Sequence, residues 1–175
     1  MPTIMRTNRL LLREVEKQDL DALSKIYADH ECMKFYPSTK SSSEIRTWFQ
    51  ELSFDSYLKH GFGLWAVVDP SSGQVIGDCG ITLQETPEGT EPEIGYSSVA
   101  WLLGGTALLL RLRQLVGGHA LNTLGLGRVV SIISPENIPS QKVAEKVHDR
   151  MEVYQKRLQS SGRIVNRYLY ISQAQ

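Results

Sequence analysis

Two β-rich runs face each other across a turn near the middle of the chain, and segments with helical spacing lie on both sides of them. The runs are Gly63-Leu64-Trp65-Ala66-Val67-Val68-Asp69 and residues 74–83, and Pro70-Ser71-Ser72-Gly73 separates them. Those turn residues supply a fixed φ, short side chains that bond their own backbone, and a site for positive φ. Gly77 and Gly80 interrupt the second run as bulge positions. A central hairpin with helical segments on both sides fits a mixed α/β or α+β domain.

Upstream, residues 9–15 read as a strand that passes into a helix over about residues 18–29, where Leu20, Leu23, Ile26 and Tyr27 recur at helical spacing. Pro37 closes that region. Ser41-Ser42-Ser43-Glu44 offers capping hydroxyls and an early acidic residue to a second helix, which carries Ile45, Trp48, Phe49 and Leu52 on one stripe. Downstream, residues 91–99 read as a strand, and a helix follows over about residues 106–124. Arg128-Val129-Val130-Ser131-Ile132-Ile133 is a dense β-branched strand, and Pro139 suits the first turn of a helix reaching about residue 147. Residues 150–157 and 163–171 close the chain as two strands about a turn at Ser160-Ser161-Gly162. The order β α α β β β α β α β β carries no repeat or low-complexity linker. It predicts one mixed α/β (α+β) domain over residues 1–175.

Composition narrows the function only by exclusion. Lys and Arg number 19, Asp and Glu 19, and the formal net charge is zero. That balance argues against a chain built to grip a phosphate backbone or an anionic membrane, and no basic stripe with interleaved aromatics speaks for nucleic acid. With 41% hydrophobic and 22% charged residues, the sequence reads as a folded domain. Cys32 and Cys79 form no CxxC or Cys/His spacing, which fits two reduced thiols in a cytoplasmic protein. His30, His60, His119 and His148 share no metal-like spacing, so no metal site is expected. The N-terminus lacks an apolar stretch of signal-peptide length. The longest uncharged apolar run, residues 97–110, is 14 residues with two glycines, against the roughly 20 a spanning helix needs.

Four segments carry a resemblance. Thr7-Asn8-Arg9-Leu10-Leu11-Leu12-Arg13, Val75-Ile76-Gly77-Asp78-Cys79-Gly80, Glu93-Ile94-Gly95-Tyr96 and Asn137-Ile138-Pro139-Ser140-Gln141-Lys142-Val143-Ala144-Glu145-Lys146-Val147 stand in this order. Together they resemble the GNAT superfamily of acyl-CoA-dependent N-acetyltransferases, in particular the branch that acetylates ribosomal-protein N-termini. The resemblance implies a twisted, mostly antiparallel seven-stranded sheet, splayed between its fourth and fifth strands and flanked by about four helices. It implies acetyl-CoA entering the opening as co-substrate, an amine acceptor (a protein N-terminus or a small molecule), and a habit of homodimerisation. A sheet opening suits an extended pantetheine arm, because unpaired backbone groups can bond its amides.

The same resemblance nominates residues. Backbone groups of Ser97, Ser98 and Val99 would hold the pantetheine arm, and Gly104, Gly105 and Thr106 would approach the pyrophosphate. Glu93 is a candidate general base, since a neutral amine must form before it attacks the thioester; a plain charged residue after Pro92 reads equally well. Asn137 would contact the cofactor arm, and Ser140 would lie by the departing thiol. Both also suit a helix cap, with Asn at the cap and Ser three residues on. Tyr154 is an alternative acid or a packing residue.

One stretch departs from the family. Residues 98–106 lack the "R/Q-x-x-G-x-G/A" phosphate loop, and Ala107-Leu108-Leu109-Leu110-Arg111-Leu112-Arg113 stands where an "A-T-E-A" helix is usual. Gly117 and Gly118 then fall inside a helix, at about 1 kcal/mol each relative to Ala. The pattern resumes at His119, and departs briefly at His148-Asp149, where Gly and an apolar residue are usual. A compensated reading-frame displacement over residues 98–118 is one explanation. Divergence to a catalytically silent binding module with a weakened or lost CoA site is the other.

Overall fold

The computed structural model describes residues 3–98, 100–158 and 161–174, with backbone alone at 98 and 100–106. Among these the chain forms strands β1 (Thr3–Arg6), β2 (Leu11–Glu14), β3 (Leu64–Val68), β4 (Val75–Thr86), β5 (Gly89–Ser98), β6 (Arg128–Ile133), β7 (Arg150–Arg157) and β8 (Ile164–Gln173). The helices are α1 (Leu20–Ala28), α2 (Ser42–Phe49), α3 (Ser56–His60), α4 (Ala100–Gly118) and α5 (Ile138–Ala144). The strands make one sheet in the order β1-β2-β3-β4-β5-β6-β8-β7. The β1–β2, β2–β3, β3–β4, β6–β8 and β7–β8 pairs are antiparallel, and β5–β6 is parallel.

The eighth strand is the N-terminal one. Thr7 turns the chain between β1 and β2, its amide bonding the Leu10 carbonyl at 2.8 Å and its Oγ1 accepting from the Leu10 amide at 3.0 Å. Four half-exposed residues on a sheet edge leave too short an alternation to read from sequence. The strands counted fourth and fifth from sequence are therefore β5 and β6. The second helix also differs: α2 runs through a π turn (Gln50–Asp55) into α3, which Gly61 ends at φ 74°.

Proximity along the fold divides the chain into two compact units, Met1–Thr82 with Gly95–Gly105 and Leu83–Ile94 with Thr106–Gln175. Strands β4 and β5 contribute a length to each.

In the first unit, α1 and α2 cover one face of β3. Leu20, Leu23, Ile26, Tyr27, Ile45 and Phe49 pack on Leu64, Ala66 and Val68. Ala66 pairs with Asp78 across β3–β4, so that acidic residue shares the apolar face. Arg13 clamps both Asp19 oxygens at 2.6 and 2.9 Å, and Asp19 also accepts from the Glu16 amide at 2.7 Å. This buried carboxylate directs the chain from β2 into α1. Ser41 and Glu44 form a reciprocal cap at the start of α2. Gly80 is required by crowding, because a Cβ there would lie 2.1 Å from the Gly63 carbonyl oxygen.

In the second unit, Val130, Leu169 and Ile171 pack on one face of β6–β8, with Ile132 and Tyr154 against them. Ile133, Ala144 and Tyr170 pack on the other, under α5. Arg128 at the start of β6 pairs with Glu91 and, at 3.0 Å, with Glu88. Among the described residues no helix is long and apolar enough to cross a membrane.

Candidate active site

Strand β5 organises the candidate residues by alternation. Glu93, Gly95 and Ser97 point to one side and Ile94 to the other. Ile94 is buried, and a Cβ on Gly117 would come within 3.3 Å of its Cδ1, so α4 packs closely here. A Cβ on Gly95 would meet nothing within 4 Å, which leaves open space beside the strand between Glu93 and Ser97.

Glu93 occupies the one register pair that joins β5 to β6 among the described residues, opposite Val130. Its Oε1 accepts a hydrogen bond from the Ile132 amide at 3.1 Å. A longer ladder would give that amide to the β5 backbone; here a side chain takes it, where the two strands cease to pair. Burial pushes the Glu93 carboxyl above its ordinary value, while the Ile132 amide, Lys156 and Arg113 draw it down. A raised carboxyl is a stronger base, which suits proton removal from an amine. Tyr154 packs on the β6 face that carries Val130; its hydroxyl is buried with no hydrogen-bond partner, and burial followed by the Glu93 charge pushes it up to about 12.

Asn137 and Ser140 come together at the start of α5, where Asn137 Oδ1 accepts from the Ser140 amide at 3.2 Å. Asn137 is thus the helix cap, and Ser140 is buried. Ser97 is buried in the first unit, and Ser98 is the last residue of β5. Val99 lies outside the described residues. Gly104, Gly105 and Thr106 fall within α4, which begins at Ala100, about six residues before the sequence-based expectation. Their backbone amides therefore lie beyond the first, unsatisfied turn of the helix.

Sequence reasoning missed a cluster in the first unit. Asp78 on β4 is fully buried and accepts from Tyr27 Oη at 3.1 Å and from Ser97 Oγ. Burial drives its carboxyl up to about 7, against the pull of those hydroxyls. The available signal was a lone acidic residue inside the apolar run Val75-Ile76-Gly77-Asp78-Cys79-Gly80-Ile81. Close by, Tyr36 Oη donates to the Tyr96 carbonyl at 2.8 Å.

The departure at His148 also has a local cause. This buried imidazole bridges Ser131 Oγ on β6 and Ser172 Oγ on β8, each at 2.9 Å. Burial, with Arg113 nearby, lowers it to about 3, so it is neutral and joins the strands by hydrogen bonds alone. Among the described residues no group of three or more His, Cys, Asp or Glu is placed to hold a metal ion.

Comparison with known proteins places this mixed sheet, with its long helix α4 following β5, in a family. The family model for the acetyltransferase (GNAT) domain matches residues 9–148. A relative from Bacillus licheniformis, "Uncharacterized N-acetyltransferase p20", is 27% identical over 174 residues, covering 94% of this chain and 92% of that protein. An acetyltransferase (GNAT family) structure from Bacillus anthracis superposes with TM-score 0.75 at 21% identity, covering 97% of each chain. RimL, a ribosomal L7/L12 alpha-N-protein acetyltransferase in complex with coenzyme A, superposes with TM-score 0.77 at 16% identity, covering 99% of this chain and 98% of that one. At such identities the structural likeness concerns the fold. The chain belongs to the GNAT acetyltransferase family.

The residues present fit a CoA thioester. Gly95 leaves room along β5, and α4 carries no acidic residue in its first turn to oppose a phosphate at its positive end.

Proposed function

We propose that this chain moves an acetyl group from acetyl-CoA to a primary amine by direct transfer, in the cytoplasm, with residues 1–175 acting as one domain. The acceptor is a protein N-terminus or a small-molecule amine. The observation that carries the reading is the Glu93 carboxylate, held by the Ile132 amide at the point where β5 and β6 stop pairing. What supports the donor is the family, the room beside Gly95, and the CoA complex of RimL.

In this reading the pantetheine arm lies along Ser97, Ser98 and Val99, with the phosphates toward the start of α4. Glu93 takes a proton from the incoming ammonium, directly or through a water, and the neutral amine attacks the thioester carbonyl. The C–N bond forms, the C–S bond breaks, and the proton that the attacking nitrogen sheds is passed through the Ser140 hydroxyl to the departing thiolate, with Asn137 against the cofactor arm. No covalent enzyme intermediate is needed, because holding amine and thioester side by side supplies most of the rate.

The test is release of CoA thiol with a panel of peptides, polyamines and aminoglycosides, alongside calorimetric titration with acetyl-CoA. Turnover with at least one amine is expected, and Glu93→Gln should lower kcat by about 10²–10⁴-fold. Acetyl-CoA binding without turnover for any amine would favour the silent binding module. No binding at all would overturn the reading.

A further inference from the structure

A carboxylate buried without a cation is costly, and strands rarely keep one without a use. Asp78 is 0% exposed on the apolar face of β4, and no Lys, Arg or His pairs with it among the described residues. Its partners are two hydroxyls from different elements. Tyr27 Oη reaches it from α1 at 3.1 and 3.4 Å, and Ser97 Oγ reaches it from β5. Tyr27 itself is buried, edge-on to Phe49 of α2 at 6.0 Å, so its hydroxyl is held by packing as well as by the bond. Ser97 lies one residue before the end of β5, so its bond to Asp78 ties that end of the strand to β4. Two residues before Ser97, Gly95 opens space beside the same strand.

We propose that Asp78 is a positioning residue for the transfer, fixing the Ser97 end of β5 so that its backbone presents amide and carbonyl groups to the thioester arm. The proposal rests on the acetyl-CoA reading given above. An ionised Asp78 accepts from both hydroxyls at once. Once protonated it loses the charge that strengthens both bonds to Oδ1, so the Ser97 bond weakens. The titratable groups facing it are Tyr27 on α1 and Tyr57 on α3, with Tyr36 beyond Tyr27. Tyr27 and Tyr57 stay neutral up to well above pH 8, because burial raises Tyr27 well above its ordinary value and Tyr57 to about 12. Asp78 is then the group of this cluster that changes charge near neutrality.

The experiment is calorimetric titration of the full chain with acetyl-CoA at pH 6, 7 and 8, for the wild type, Asp78→Asn and Ser97→Ala. Wild-type affinity should rise by about tenfold from pH 6 to pH 8, the share of one charge-assisted hydrogen bond. Asp78→Asn should be flat across that range and stay near the weak, low-pH value. Ser97→Ala keeps the carboxyl and guards against a misfolded Asn variant; it should also bind weakly, with its pH dependence gone. Wild-type binding that is pH-independent, or an Asp78→Asn profile that follows the wild type, would overturn the role of Asp78 and leave the acetyl-CoA reading standing. Failure of the wild type to bind acetyl-CoA at any pH would overturn both.

Discussion

At the scale of single residues, three polar groups, Asp78 and His148 buried and Glu93 half-buried, define the chemistry available to this chain, and each is set by different neighbours. Glu93 is tethered by one backbone amide, Asp78 by two hydroxyls, and His148 by two serines. The last makes a stability prediction. His148 is lowered to about 3 in the folded chain, against an ordinary value of 6.5. The unfolded chain therefore binds the extra proton first, and the stability from the neutral imidazole is fully present above pH 6.5. It drains away as pH falls toward 3. His148→Leu should cost about 1–3 kcal/mol at pH 7 by leaving Ser131 and Ser172 without their partner, and should flatten that acid limb. Urea denaturation followed at several pH values measures both effects. Unchanged stability at pH 7 would mean the two serines find other partners.

None of these three environments is legible in sequence. Glu93 could be nominated from its place in the Glu93-Ile94-Gly95-Tyr96 segment, but its amide partner lies on another strand, 39 residues away. Asp78 is visible only as an oddity in an apolar run. Its meaning depends on Tyr27, 51 residues distant, arriving on the same face.

At the scale of elements, β-rich runs bounded by turn residues did most of the work, even where a strand such as β3 is buried on both faces. The β3–β4 hairpin, β6 and β7 fall where those runs and turn residues put them, β6 and β7 to the residue. The close crossing of this hairpin makes a direct test. Gly80→Ala would drive a Cβ to 2.1 Å from the Gly63 carbonyl and 2.7 Å from Leu64 Cα, both backbone atoms that cannot step aside. A loss of about 1–3 kcal/mol is expected, read as a lower denaturation midpoint. A neutral substitution would show that β3 and β4 can separate at no cost.

Helix α4 is where periodicity failed, because its leucines fall on every face, no charged residue marks a boundary between 98 and 110, and Thr106, expected at its start, lies inside it. The genetic code offers a reason. Residues 104–113 can be written GGG GGT ACG GCT TTG CTA CTG AGG CTG CGG. Entered two bases later, the same bases read glycine, tyrosine, glycine, phenylalanine, alanine, threonine, glutamate, alanine, alanine. That frame contains both the G-x-G spacing and the A-T-E-A run that this stretch otherwise lacks. Reading the encoding DNA should show a displacement near residue 98 and its compensation near residue 118. Writing the second frame's residues back into this segment should tighten acetyl-CoA binding, since the glycines would free backbone amides for phosphate. Codons incompatible with the second frame would end the idea.

At the scale of the whole molecule, β4 and β5 each pass through both compact units, so neither unit can lose its share of them without disturbing the other. One cooperative melting transition is expected, coincident by far-ultraviolet dichroism and by the fluorescence of the buried Trp65. Acetyl-CoA at about a hundred times its Kd should stabilise the folded chain by about 2.7 kcal/mol. Two separate transitions would instead show units that fold independently.

The sequence by itself determined the order of the elements apart from β1 and α3, the hairpin, the capping residues ahead of α2 and the family, because these rest on neighbours within a few residues or on motifs kept in order. Only the tertiary structure decided which polar groups are buried and what they touch. Burial and hydrogen-bond partners depend on residues far apart in the chain, and desolvation, which raises Asp78 and Glu93 and lowers His148, exists only once the sheet and helices have closed around them.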